Sequence, residues 1–156
     1  MISLNNKKQE GFTVVELVIV FVIIGILLTL VVVTFTDIQQ RNHNTSREND
    51  IKSIASQLEA YNVNNGFYPT LTQMNNKPAG WVEANLKGLD PTALQDPQGS
   101  NQTLVSAPTA KAYSYHPTDD TGNACDDIKV NCTKFTLTAT FEGTVSGATT
   151  YVKTNR

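Results

Sequence analysis

Few residues of this 156-residue chain are of types that do chemistry. His43 and His116 stand far apart, and neither has serine, cysteine or carboxylate neighbours in the pattern of a triad or a metal site. No catalytic residue is assigned, and no cofactor is expected. Asp119, Asp120, Asp126 and Asp127 flank the first cysteine in "DDTGNACDD", and hard oxygen ligands of this kind hold calcium. The run lacks the EF-hand spacing, so a solvated acidic loop is the plainer reading and no metal is assigned. Cys125 and Cys132 enclose six residues, which fits a small disulfide ring and none of the common zinc or C-x-x-C patterns. The alternative is two reduced, buried thiols. A disulfide would place this part of the chain in an oxidising compartment. Asn44, Asn101 and Asn131 match the glycosylation sequon, but Asn and Thr are abundant enough for chance matches.

The most unusual ionisable residue is Glu16. From Leu17 to Thr36 there are twenty consecutive residues without a charge, enough to span a hydrocarbon core as an α-helix at about 1.5 Å per residue. A carboxylate at the head of such a helix needs a partner or a purpose. The basic start at Lys7 and Lys8 is not that of an ordinary secretory signal, because the apolar run is too long and no small-x-small site follows it. Arg41 and Arg47 balance those two lysines across the run, and the cysteines decide the orientation, with the N-terminus inside. Within the run, Gly25 could allow close helix approach or local unwinding.

The elements that position these residues follow from periodicity. "QQRNHNTSREND" (39–50) has no aliphatic side chain, and then Ile51, Ile54, Ala55, Leu58 and Tyr61 recur at helical spacing. One long helix over 12–65 is predicted, with an apolar part over 12–36 and an amphipathic continuation over 37–65, stopped by Gly66 and Pro69. A head over 66–156 follows. Residues 67–110 read as loops, with a helical turn around Trp81, Val82, Leu86 and Leu89 and a series of turns in "LDPTALQDPQGSN". Within 111–154, "KAYSYHP", "KFTLTATFE" and "TTYVKTN" alternate as half-buried antiparallel strands do. The predicted class is α+β: a long helix packed on a small antiparallel sheet. The net charge of -2 and the pI near 5.6, without any lysine and arginine cluster, argue against nucleic acid as a partner of the bulk of the chain.

"GFTVVELVIVFVIIGILLTL" closely resembles the class III signal of type IV pilins and pseudopilins: a glycine, then Phe12, then a glutamate as the fifth residue counted from Phe12, then an apolar helix. "QLEAYNVNNGFYPT" and "DPQG" are similar to the helix end and the following turn in this superfamily. The resemblance implies that residues 1–11 are a leader, that a prepilin peptidase cuts between Gly11 and Phe12, and that the Phe12 amine is N-methylated. It also implies assembly through Phe12 and Glu16, the carboxylate of an incoming subunit pairing with the Phe12 amine of its neighbour. Two departures stand out. Many major pilins have proline where this chain has Val33, and the Cys125–Cys132 ring is smaller than in many pilins.

By that resemblance the first expectation is a type IV pilus subunit, polymerised into an extracellular homo-oligomeric filament for adhesion, motility or DNA uptake. Its implied partners are the peptidase, the pilus assembly machinery and, before assembly, membrane lipid. The chain would sit single-pass in the cytoplasmic membrane, N-terminus inside, and then at the cell surface. The alternative is a pseudopilin of a type II secretion system or a minor pilin, and a membrane-anchored secreted enzyme is the reading from another class.

Overall fold

The computed structural model describes residues 11–76, 80–125 and 131–155; Asp126 and Asp127 lie outside them, as do Lys7 and Lys8. One helix, α1, runs Val14–Asn65. It begins two residues later than the apolar pattern suggested, because Thr13 caps it. Chain contacts divide the protein at Gln39/Gln40.

In the first unit, α1 is apolar all round, as helices are when their surroundings are not water. Its described large apolar side chains are exposed, from 45 % for Val20 and Ile24 to 78 % for Val14. The most apolar window, with a mean hydropathy of 3.3, is long and apolar enough to cross a membrane. Thr29 turns its hydroxyl back to the Ile26 carbonyl at 2.7 Å, so that polar group is satisfied within the helix. A Cβ on Gly25 would meet nothing within 4 Å inside the chain.

In the second unit, α1 buries Ile51, Ile54, Ala55, Leu58 and Tyr61, the stripe read from the sequence. Asn44 and Arg47 extend this stripe toward the N-terminus at the same three- to four-residue spacing, and both are buried. The polar segment is thus a packed part of the helix. Beyond Gly66, the region read as turns holds two short helices and a 3-10 turn: α2 (Leu71–Met74), α3 (Trp81–Asn85) and Pro91–Leu94. Thr70 and Gln73 close a capping box on α2, and Asp90 caps the 3-10 turn through the Thr92 N–H. Met74, Val82, Leu86, Leu89 and Leu94 drop from these turns into the core.

The sheet is an antiparallel meander, β1 (Ser114–Thr118), β2 (Lys134–Val145) and β3 (Ala148–Thr154), in that spatial order. β1 starts three residues later than its alternation suggested, since Lys111 turns the chain at φ 62° and Thr109 bridges Ala112. Tyr115 opposite Leu137 and Ala139 opposite Tyr151 set the face that meets α1. The β2–β3 turn has Ser146 and Gly147 both at positive φ, the conformation that matches the twist of a two-residue hairpin. β2 carries an irregularity between Thr140 and Val145, with Gly143 at φ 71°. That bulge aims Glu142 at α1.

Candidate functional site

At the head of α1, Thr13 and Glu16 form a reciprocal cap. The Thr13 N–H and its hydroxyl each donate to Glu16 Oε2 at 2.8 Å, and the Glu16 N–H donates to Thr13 Oγ1 at 3.3 Å. Helix N-terminal donors have no partner inside the helix, and a threonine followed by glutamate three residues on satisfies two of them at once. The carboxylate also stands at the positive end of the helix dipole. Glu16 therefore has an intramolecular task before any neighbour is considered, one that the T-x-x-E spacing carries in the sequence and that the reading by charge alone missed. Both bonds fall on Oε2. Gly11, Phe12 and Thr13 precede the helix as exposed, irregular backbone, accessible from outside.

A second constellation joins the polar stretch of α1 to the head. Arg47, 1 % exposed, grips Asp96 with Nε to Oδ2 at 2.6 Å and Nη2 to Oδ1 at 3.0 Å. Its Nη1 donates to Asn44 Oδ1 at 2.9 Å and to Glu142 Oε1 at 2.8 Å. Burial works against this charge, but the hydrogen bonds and charges of Asp96 and Glu142 outweigh it, and the guanidinium pKa lies above its ordinary value. Asn44 completes the junction as a strand partner would: its Nδ2 donates to the Glu142 carbonyl at 3.1 Å and its Oδ1 accepts from the Glu142 N–H at 2.9 Å. His43 Nδ1 lies 2.9 Å from Glu142 Oε1. One turn further on, Asp50 accepts from the buried Tyr113 hydroxyl at 2.7 Å, and desolvation raises its pKa.

Asp96 belongs to the "DPQG" turn. Its Oδ1 also takes the Gln98 N–H at 2.9 Å, and a Cβ on Gly99 would sit 2.5 Å from the Lys111 carbonyl, so the turn needs glycine there. The sequence reading placed this turn without foreseeing that it holds the partner of Arg47. The two residues are 49 apart, and no local pattern connects them.

The remaining candidates are scattered. Cys125 and Cys132 are joined in a buried disulfide with Cα atoms 5.8 Å apart, beside Tyr68, whose N–H donates to the Cys132 carbonyl at 2.7 Å. Asp119 Oδ1 accepts from the Thr121 hydroxyl and N–H and from the Asn123 N–H; the Thr121 and Asn123 donors hold the carboxyl below its usual range. Among the described residues no group of three or more His, Cys, Asp and Glu could hold a metal ion. His116 is exposed on β1. Asn44 is buried and bonded, whereas Asn101 and Asn131 are exposed.

Residues 6–32 match the Prokaryotic N-terminal methylation motif family. Over 133 residues the chain is 32 % identical to the type II secretion system core protein G of Dickeya chrysanthemi, a match covering 79 % of this chain and 86 % of that protein. The chain belongs to the type II secretion system core protein G family. The core protein G of Escherichia coli strain K12 is 30 % identical over 115 residues, covering 69 % of this chain and 79 % of the relative. That of Vibrio cholerae is 34 % identical over 106 residues, covering 64 % and 73 %. No solved structure matches the chain at a significant level. The core protein G family is a pseudopilin branch of the pilin-like superfamily, and its members are structural subunits and not enzymes. These relatives favour the secretion alternative over the pilus for adhesion or twitching that the sequence motif first suggested.

Proposed function

We propose that this chain is the pilin-like structural subunit of a type II secretion system. It enters the cytoplasmic membrane with its N-terminus inside, anchored by the apolar part of α1, and prepilin peptidase removes residues 1–11. The new Phe12 amine is methylated, and the subunit then polymerises through the apolar half of α1 into a homo-oligomeric filament on the machinery of that membrane. The match to core protein G across the head as well as the methylation motif carries this reading. It is supported by a helix whose large apolar side chains are exposed.

Within that filament, Glu16 of one subunit pairs with the Phe12 amine of its neighbour. The cap from Thr13 engages Oε2 alone and makes no bond to Oε1, so capping and pairing are compatible. A buried charge of this kind contributes register more than net stability.

Deleting the gene in its host separates the two branches of the superfamily. Loss of exoprotein secretion with surface pili and their motility intact supports the proposal. Normal secretion with loss of surface filaments overturns it in favour of the type IV pilus.

A further inference from the structure

β3 is the last strand of the sheet and, among the described residues, is paired with a strand on one side only. Between its free edge and α1 runs a groove of about 360 Å³ lined by Lys52, Ala55, Ser56, Glu59, Lys153 and Thr154. The groove exists because the sheet ends before α1 is covered and because Ala55 and Ser56 are small. Lys153 stands opposite Leu137, so it shares the helix-facing side of the sheet. Lys52 lies 5.5 Å from the Tyr151 ring centre and 3.3 Å from Glu48. The one acid in the lining, Glu59, accepts from the Tyr68 hydroxyl at 2.9 Å. Lys153 has no acidic partner among the described residues. The groove is open and bounded by a strand edge, and Lys153 is the cation in its lining that no described acid pairs.

The opposite side of the sheet carries the complementary feature. The chain leaves β1 at Thr118 into an acidic turn, Asp119–Asn123, closed by the Thr118–Ala124 bridge. Asp119 is spent on holding the turn's own donors. Asp120 is exposed, and the Lys134 ammonium meets its carbonyl at 3.1 Å. The turn is therefore preorganised, which lowers the ordering cost of any contact it makes.

The register shows where these two features lie. Thr118 pairs with Lys134 and Thr136 pairs with Thr154, so the turn and the groove end are at the same end of the sheet, on opposite edges. A contact between two different patches is heterologous; repeated without closing into a ring, it forms an open chain, the symmetry a filament requires.

We infer that the groove beside β3 receives the Asp119–Asn123 turn of a second copy of this chain, with Asp120 set against Lys153 and Lys52. The inference rests on the filament reading above and adds a head-to-head contact to the one made by α1. Opposite charges there fix register and exclude wrong neighbours.

The test is charge reversal in the full chain in its host, reading filament yield as crosslinked multimers of the chain beside the amount of mature protein in the membrane. Lys153→Glu and Asp120→Lys should each lower filament yield about tenfold while mature protein stays at the parent level. Together they should restore most of the yield, since the attraction returns with signs exchanged. Normal yield from both single variants overturns the contact, and so does a double variant that stays as poor as the singles. A parent chain that gives no filaments fails the subunit reading and the contact with it. Filaments that tolerate each reversal fail the contact alone.

Discussion

The two halves of α1 solve opposite problems with one backbone. From Leu17 to Phe35 the helix is uncharged on all sides and its described large side chains are exposed; from Asn44 to Tyr61 it presents a single stripe that is buried against the head. Apolar area removed from water is worth about 25 cal/mol per Å². The second half gains this within its own fold, and the first can gain it only from lipid or from other subunits. The contrast extends to the ionisable residues. Among the described residues Glu16 bonds only to its own cap, whereas Arg47 is enclosed by Asp96, Glu142 and Asn44. The first half answers to assembly and the second to folding.

That division can be broken most severely at Glu16. Glu16→Gln should leave leader removal and membrane accumulation intact, since insertion needs only the run from Leu17 onward, but filaments should be abolished or nearly so. Mature mass in the membrane and the yield of crosslinked multimers, taken from one strain, check this. Normal yield would remove the pairing role and leave Glu16 as a helix cap. At the processing step, a bulky residue in place of Gly11 should leave precursor of higher mass.

Arg47 should show the reverse pattern. Arg47→Ala leaves two carboxylates of the junction without their cation, and breaking a buried pair costs about 3 to 5 kcal/mol. Urea denaturation of the purified full chain in detergent should show that loss in the head. Arg47→Met with Asp96→Leu, which removes both sides of the strongest pair, should be less destabilising than Arg47→Ala alone. If the single and double variants lose equal stability, the Arg47–Asp96 pair is not what holds the junction.

A smaller effect is expected at the disulfide. Replacing Cys125 and Cys132 together by Ala should lower head stability by about 2 to 3 kcal/mol in the chain-entropy view of a short ring, without changing processing. Equal thermal midpoints of parent and variant would refute it.

The smallest and most specific effect is at Asp50. Desolvation raises its carboxyl, so the folded state binds that proton more tightly than the unfolded chain does. Its contribution is therefore most favourable at acid pH and is lost as pH rises through the ordinary carboxylate range and just above it. Asp50→Asn, which can still accept from Tyr113, should flatten the fall in stability between about pH 4 and pH 7 relative to the parent. An unchanged difference across that range would mean that Asp50 titrates as a solvated group.

How much of this was legible depended on the distance over which each signal acts. The stripe Ile51 to Tyr61 and the three alternating strands are local, and periodicity alone placed them. The Thr13–Glu16 cap is local as well, but the weight of an acid in an apolar run drew attention from the threonine three residues before it. The junction was illegible for another reason. Asn44 and Arg47 lie in the stretch without aliphatic side chains, and nothing nearby in sequence tells that Asp96 and Glu142 arrive from a turn and a bulge. The same holds for Asn75, whose side chain pairs with both backbone groups of Leu104. An asparagine that stands in for a strand leaves no periodic trace.

The burial of the disulfide has a temporal consequence. Cys125 and Cys132 are 2 % and 0 % exposed, so burial hinders an oxidant or a competing thiol from reaching the sulfurs in the folded head. Thiolate attack needs access, and access here means opening the core around Tyr68 and Phe135. The bond therefore records the compartment in which the head folded. Once packed, it is insulated from whatever redox conditions the finished subunit later meets.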